Sequence, residues 1–493
     1  MKSEIKLYGI LLLMGMSCPC WADFTVTKVG DSVVDPTALT LDRTRMHPVF
    51  YSTCVNLVHC QKDAVVTHEN HQYVGYYDAD RRVCMARRKL PAGQWSIIRF
   101  TDYVFEKNDD HNTVCIGVCP KDGTIHLAFD HHLDPLHYRV SRKGVATDPE
   151  SIEWEASLFG PIISELEKGK PLTGISYPWF WQTPRGGLQI NYREHPRKNN
   201  TWGTPNYMLA DYDADTSTWI RTREITSGEG EYQGKRWPSG KSILCKIATG
   251  YPHGYDYGPL GRLHVTWVWS SEVGPHDLMY AYSEDRGKTW LNNQGEDLTM
   301  PINSDSPGIE VVDIDERYGP QNTQTQAVDS QGRIHVVMRH SSDETIKAAK
   351  MELEKFMEIW GPPDARRYHH YWRDTSGAWQ HTEMPWVAGT VPRMFLDKDD
   401  NAYLIYGATK SPDIPMKLHS LDHNCTIAAA SAKSKWTDWE VIHVEKGTFF
   451  SDLLGDPYRW KKEGVLSVPV QESPQENAAP SALRMLDFSF AHE

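Results

Sequence analysis

A turn residue followed by an alternating run recurs six times along this chain, and it constrains the fold more than any other feature. The copies are Asn70-His-Gln-Tyr-Val74, Gly123-Thr-Ile-His-Leu127, Gly186-Gly-Leu-Gln-Ile190, Gly261-Arg-Leu-His-Val265, Gly332-Arg-Ile-His-Val336 and Asn401-Ala-Tyr-Leu-Ile405. Their starts lie about 66 residues apart on average, a period that belongs to a propeller or a solenoid. Each copy reads as a hairpin turn, because Gly and Asn accept the positive φ of tight strand connections and alternation suits a strand. A Trp follows most of these hairpins, at Trp95, Trp154, Trp219, Trp290, Trp379 and Trp439, where a third and fourth strand complete a sheet. At this period the 493 residues hold about seven units.

The expected fold is all-β, a seven-bladed β-propeller of four-stranded antiparallel blades. Six blades own a visible hairpin. The seventh is composite: an N-terminal strand near Phe24-Thr-Val-Thr-Lys28 joins C-terminal strands that include Leu483 to Phe490, closing the ring and leaving no open sheet edge. Pro469 to Pro480 reads as loop. One helix is expected over Thr345 to Trp360, where Met351, Leu353, Phe356 and Trp360 have rough helical spacing.

The first 22 residues carry Lys2 and Lys6, then an apolar run from Leu7 to Cys18 and the small-residue ending Cys20-Trp-Ala22. This is the pattern of a cleavable signal peptide, so the expectation is a secreted or periplasmic protein, with residues 23–493 forming one domain. The apolar run falls short of the roughly 20 residues a membrane span needs, and no later segment is longer. Beyond the leader remain Cys54, Cys60, Cys84, Cys115, Cys119, Cys245 and Cys425. This odd, sparse set does not make a disulfide framework and reads as buried thiols. The formal net charge is -13 with no basic stripe, which argues against nucleic acid as a partner. A monomer is expected.

Candidate chemistry follows from the hairpin geometry. The start of a hairpin's first strand lies beside the end of its second, so residues about ten before the turn and about seven after it share one end of a sheet. This selects His111 and His131, Tyr177 and Arg193, Tyr251 with nearby His253, and Asn322, Arg339 and His340. His126, His264 and His335 repeat at one hairpin position, which marks a structural need. The selected groups suit β-elimination at a uronic acid. Arg193 can hold and neutralise the carboxylate in bidentate fashion. A base must take the C5 proton, with His111 the first choice, and Tyr177 can protonate the leaving oxygen. His131 completes the carboxylate clamp or shares proton transfer.

These residues resemble those of the BNR-repeat polysaccharide lyases, and in particular the seven-bladed ulvan lyases. The resemblance rests on Asp109-Asp-His-Asn-Thr113, Asp122-Gly-Thr-Ile-His-Leu-Ala-Phe-Asp-His-His132 with Leu136-His-Tyr-Arg139, Ser176-Tyr-Pro178 and Asn191-Tyr-Arg193. It implies cleavage between a rhamnose, often sulfated, and glucuronate or iduronate, giving a 4,5-unsaturated uronate end. The implied partner is an anionic uronate-containing polysaccharide, most of all ulvan. The family's catalytic roles map onto His111, His131, Tyr177 and Arg193, with His132 the register alternative to His131, and Tyr251, His253 and Arg339 as substrate-binding candidates. No cofactor is required for the chemistry. A structural zinc or calcium ion is implied for some members, without ligands assigned here. Alternative readings are an exo-acting rhamnose–glucuronate lyase on arabinogalactan-type glycans and a non-catalytic glycan-binding propeller. A sialidase-like hydrolase shares the Asp-box turn Ser283-Glu-Asp-Arg-Gly-Lys-Thr-Trp290 but wants a Phe/Tyr-Arg-Ile-Pro segment that this chain lacks.

Overall fold

Each of the six recurring turns connects the first and second strands of an antiparallel sheet. The structure, a computed structural model, describes residues 24–42, 54–195, 197–198, 201–202, 204–236, 241–350, 363–409 and 422–492. The leader expected over Met1 to Ala22 lies outside the described residues. Gly123, Gly186, Gly261 and Gly332 all have φ between 67° and 86°, where a side chain is strained and glycine is not.

The first sheet comprises Val65–His68, His71–Tyr77, Arg82–Lys89 and Ser96–Val104. The second comprises Val114–Val118, Ile125–Phe129 and Tyr138–Val140, extended by bridges from Tyr138 to Ile163 and from Ser141 to Phe159. Ile175–Gln182, Leu188–Glu194, Asn206–Asp213 and Thr218–Ser227 form the third, with His132–Asp134 added at its edge. The fourth runs from Lys241–Tyr257 through Leu263–Ser271 and Gly274–Ser283 to Glu310–Val312, with Glu231–Arg236 added beside Lys241–Tyr257. The fifth holds Thr325–Val328, Ile334–His340, Arg367–Arg373 and Trp379–Val387. The sixth holds Arg393–Leu396, Ala402–Thr409, His423–Ala430 and Glu440–Phe450. Phe449 and Phe450 pair with Glu472 and Gln471 and so join it to a last group, Val465–Glu472, Ser481–His492 and Phe24–Ala38. Within that group Val26 faces Phe490 and Lys28 faces Phe488, so the two ends of the chain share one sheet. The expected loop from Pro469 is corrected: Val465–Glu472 continues as strand through Pro469, and the connection starts after it.

The hydrophobic cores lie between consecutive sheets. Val66, Tyr73 and Met85 of the first pack with Ile116, Leu127 and Phe129 of the second. Trp181, Leu209 and Ile225 of the third pack with Val265, Trp267 and Met279 of the fourth. Val34, Leu483 and Met485 of the last group pack with Val65, Val74 and Tyr76 of the first. Each fully buried side chain of this size contributes about 1.5–3 kcal/mol relative to exposure. Of the recurring tryptophans, Trp219 and Trp379 stand in fourth strands and Trp95 and Trp439 directly before one; Trp290 is buried behind the 283–290 turn, which Asp285 closes by accepting from the Lys288 and Thr289 amides at 3.0 and 2.8 Å.

Helix is scarce. Asp343–Ala348 is helical, started by Ser342, whose hydroxyl accepts from the Thr345 amide; the 351–360 portion of the expected helix lies outside the described residues. A second helix, Pro457–Glu463, was not expected from the sequence. Asp456 caps it by accepting from the Tyr458 and Arg459 amides, Pro457 opens it and Gly464, at φ 66°, ends it. Cys54, Cys60, Cys84, Cys115, Cys119, Cys245 and Cys425 are all buried. No helix among the described residues is long and apolar enough to cross a membrane.

Candidate active site

The repeated histidines meet the structural need expected of them. Buried His126 sets its Nδ1 2.6 Å from the Tyr138 hydroxyl, and buried His264 sets its Nδ1 2.9 Å from the Tyr280 hydroxyl, in both cases a phenol from the neighbouring strand. His335 instead meets His370 at 3.0 Å and Asp329 at 3.2 Å. None of the three reaches an open surface.

A different group assembles where the second, third and fourth sheets meet. Ser176 pairs with Arg193 across the hairpin, and the pairing then slips before Trp179 meets Asn191. Tyr177 occupies that slip with φ 53°, a region costly for an aromatic residue and characteristic of sites where backbone strain is held by the surroundings. Its ring lies under the Arg193 guanidinium, 4.6 Å from Cζ to the ring centroid. Arg193 also donates to the Tyr251 hydroxyl at 3.0 Å, and Tyr251 meets Tyr177 edge-on at 6.0 Å between centroids. Tyr207, directly across the strand pair from Arg193, adds a third phenol; sequence reasoning missed it because it stands on the third strand, outside the hairpin used as a guide.

Two imidazoles face this aromatic group. His111 and His132 stack at 4.3 Å and lie 5.9 and 6.1 Å from the Tyr177 ring. One carboxylate joins them: Asp109 Oδ1 lies 2.6 Å from His111 Nδ1, and its Oδ2 lies 2.6 Å from His132 Nδ1. Asp110 adds a second carboxylate 2.9 Å from His111 Nδ1. The side chains of Asp109, His111 and His132 keep 25%, 18% and 20% exposure, so the group is open to solvent on one side.

These contacts set the charges. Burial opposes protonation of His111, but Asp110 and Asp109 overcome it and hold the imidazolium up to about 10. Burial likewise pushes the Asp109 carboxyl up, and its bonds to the two imidazoles outweigh that and bring it well below the usual range. His132 is lowered by burial and by the neighbouring His111 charge, which outweigh its bond to Asp109. Burial pushes the Tyr177 phenol up, and Arg193 pulls against that. With Nδ1 of His132 donating to Asp109, the lone pair of the neutral ring sits on Nε2.

The backbone carrying His132 is fixed from several sides. Asp134 accepts from the His132 amide at 3.0 Å, the Leu133 amide donates to the Ser176 hydroxyl at 3.0 Å, and Asn112 donates to Asp134 at 3.0 Å. Asp130 and Leu133 have φ of 61° and 65°, and these two bends bring the chain across to the edge of the third sheet.

Three expectations about position are corrected. His131 is not part of the group: it is 1% exposed, its Nε2 accepts from the His137 amide at 2.9 Å, and burial lowers it well below the ordinary range. It follows Leu127 and Phe129 onto the buried side, and His132 stands in the place expected of it. His253 is turned into a cavity of about 160 Å³ among the inner strands, lined also by Lys62, Asp63, Asp256 and Arg393. Arg339 is spent inside the fifth and sixth sheets, donating to the Gly389 carbonyl and the Gln321 side chain. The structure thus brings together His111, His132, Tyr177, Arg193 and Tyr251, with Asp109, Asp110 and Tyr207 around them.

Among the described residues, Asp109, His111 and His132 are the grouping whose ligand atoms lie close enough together, within 4.8 Å, to share a metal ion. It belongs to this site and not to a distant structural position.

The sequence profile of the BNR repeat-containing family matches residues 71–386. Among curated proteins, the chain is 26% identical over 289 residues to the long-isoform ulvan lyase of Pseudoalteromonas sp. (strain PLSV), covering 49% of this chain and 27% of that protein. It is 25% identical over 293 residues to the short-isoform ulvan lyase of Alteromonas sp. (strain LOR), covering 49% of this chain and 52% of that protein. The matches therefore span about a quarter to a half of those relatives' length. Among solved structures, polysaccharide lyase Uly1 superposes with a TM-score of 0.65 at 16% identity, covering 94% of this chain and 99% of that one. A PL25 ulvan lyase superposes with a TM-score of 0.58 at 12% identity, covering 92% and 95%. At these identities the superpositions establish a shared fold. With well over half of its length matched by the profile, the chain belongs to the BNR repeat-containing family.

Proposed function

We propose that this protein is a polysaccharide lyase that cleaves ulvan-type chains between rhamnose and a uronate by β-elimination. The observation that carries the reading is the meeting of two imidazoles, a phenol and a guanidinium around one solvent-open surface. The similarity to ulvan lyases supports the substrate class. We read the seven successive strand groups as blades of a β-propeller. The pairing of Phe24–Ala38 with Ser481–His492 and the packing of the last group on the first support a closed ring. The reading includes export by the Met1 to Ala22 leader, supported by its apolar run and small-residue ending.

In this mechanism Arg193 and cationic His111 face the uronate carboxylate, and their charge stabilises the enolate-like intermediate as the C5 proton leaves. His111 fits that role better than the role of base, because two carboxylates touch its Nδ1. The base is then His132, accepting the C5 proton on Nε2 while Asp109 holds its Nδ1–H. The C4–O bond breaks, the C4–C5 double bond forms, and the Tyr177 hydroxyl gives its proton to the departing sugar oxygen. Solvent then returns one proton to Tyr177 and takes one from His132, closing the cycle.

The test is the ultraviolet absorbance of the conjugated uronate product, measured with the purified chain on ulvan and on rhamnose-capped arabinogalactan. A rise on ulvan supports the proposal, a rise on the arabinogalactan alone moves the substrate assignment, and no rise on any uronate polymer overturns it.

A further inference from the structure

We propose that Asp109, His111 and His132 are also a binding site for a divalent transition-metal ion, and that its occupancy excludes turnover. Two imidazoles and one carboxylate with ligand atoms within 4.8 Å of one another make a donor set that zinc and its first-row neighbours accept. Three protein ligands on one side and solvent on the other leave open coordination positions; the side-chain exposures of 18–25% provide that open side. The local charge favours a cation. Asp110 lies 2.9 Å from the same imidazole that Asp109 meets at 2.6 Å, so two carboxylates stand at the ligand group. The three ligands are also held in place without the ion. The 3.0 Å bond from the His132 amide to Asp134 and the 3.0 Å bond from the His111 amide to Asp109 fix the backbone beneath them, and such support raises metal affinity.

The exclusion of turnover follows from imidazole chemistry and rests on the lyase reading above. A neutral imidazole has one nitrogen lone pair. Once that pair is given to a metal, the other nitrogen carries hydrogen, whichever of the two does the ligating. A metal-bound His132 therefore has nothing left with which to accept the C5 proton. One ion thus takes away the base.

The experiment titrates zinc chloride into the chelator-washed full-length chain by calorimetry without polysaccharide, and follows lyase activity in parallel. One zinc ion per chain is expected, weakened at least about tenfold in Asp109→Asn and in His132→Gln, the scale seen when support or ligation of a bound metal is lost. Circular dichroism checks that each variant is folded, and either folded variant suffices. Inhibition of the unsubstituted chain should track zinc occupancy and reverse with EDTA. Absence of binding, or binding unchanged in a folded variant, overturns the site. A zinc-saturated chain that turns over at its full rate overturns the exclusion. Because the calorimetry uses no substrate, failure of the lyase reading leaves the binding result intact and separately readable.

Discussion

The Arg193 guanidinium lies 4.6 Å above the ring of Tyr177 while donating to the Tyr251 hydroxyl at 3.0 Å. A permanent cation thus sits against the phenol that is assigned the leaving-group proton, and it lowers the cost of the phenolate left behind. Tyr177→Phe keeps the ring and its place in the slip of the strand pair but removes the proton. Turnover on ulvan should fall at least about 10²-fold, with an unchanged circular dichroism spectrum. Near-native turnover in this variant would remove Tyr177 from the chemistry.

His131 and His132 are adjacent in sequence and opposite in surroundings. His132→Gln removes the proposed base, and the rate should drop by about 10²–10⁴-fold with little change in melting temperature. His131→Gln disturbs a buried ring that accepts from the His137 amide, so it should lower the melting temperature and leave the rate of the folded fraction near that of the unsubstituted chain. Initial rates and thermal melts of the two variants together check the assignment; the reverse pattern would restore His131 to the site.

Acid should unfold this protein through its buried neutral histidines. Burial lowers His126 to about 3, and the side chains that touch it are the Thr124 and Tyr138 hydroxyls and the rings of Phe180, Tyr212 and Trp219, with no carboxylate to offset the loss of water. Burial also lowers His264 to about 3 and His340 to about 4. The unfolded chain takes up these protons near the reference value of about 6.5, so between about 6.5 and 3 it binds more protons than the folded chain. Stability is therefore full above that window and falls as pH descends through it. Urea midpoints taken from pH 7 to pH 4 should decrease steadily, and His126→Gln should flatten the slope while lowering the pH 7 midpoint. A slope unchanged in that variant would mean that His126 is not a source of the acid sensitivity.

The repeating architecture was legible because a tight turn restricts its residues so strongly. Gly123, Gly186, Gly261 and Gly332 were recognisable as first hairpin turns from the sequence, and all four have the positive φ that the reading requires. Asn70 and Asn401 mark the same connections with the positive φ on the residue before each, Glu69 and Asp400. The site was legible only where strand parity held. Tyr177, Arg193 and Tyr251 were found by counting from the turns, and they do meet. The count failed at His131 because that residue follows Leu127 and Phe129 into the buried interior, while the bends at Asp130 and Leu133 carry His132 across to the third sheet. It failed at Arg339 because distance from a turn says nothing about which side chain is already committed to internal carbonyls. Asp109 was quoted for its motif, yet its bridge between two histidines from separate segments exists only in three dimensions.

The junction between the chain ends depends on one buried acid. Asp487, in the Ser481–His492 strand, accepts from Arg88 of the first sheet at 2.8 Å and from Arg459 of the Pro457–Glu463 helix at 2.8 Å, and the Ser467 hydroxyl donates to it at 2.7 Å. The three charged side chains are 2–3% exposed, and none of these partners belongs to the candidate site. Asp487→Asn leaves the Arg88 guanidinium buried without its ion-pair partner and Arg459 with Glu463 alone, which should cost about 3–5 kcal/mol. The urea midpoint should fall accordingly, while the rate of the protein that remains folded is kept. Replacing Arg88, Arg459 and Asp487 together with apolar residues of similar volume removes charge and counter-charge at once, and should recover much of the loss. If the single substitution left the midpoint unchanged, the charges would be adding nothing there, and the junction would rest on the packing of Val34, Leu483 and Met485 alone.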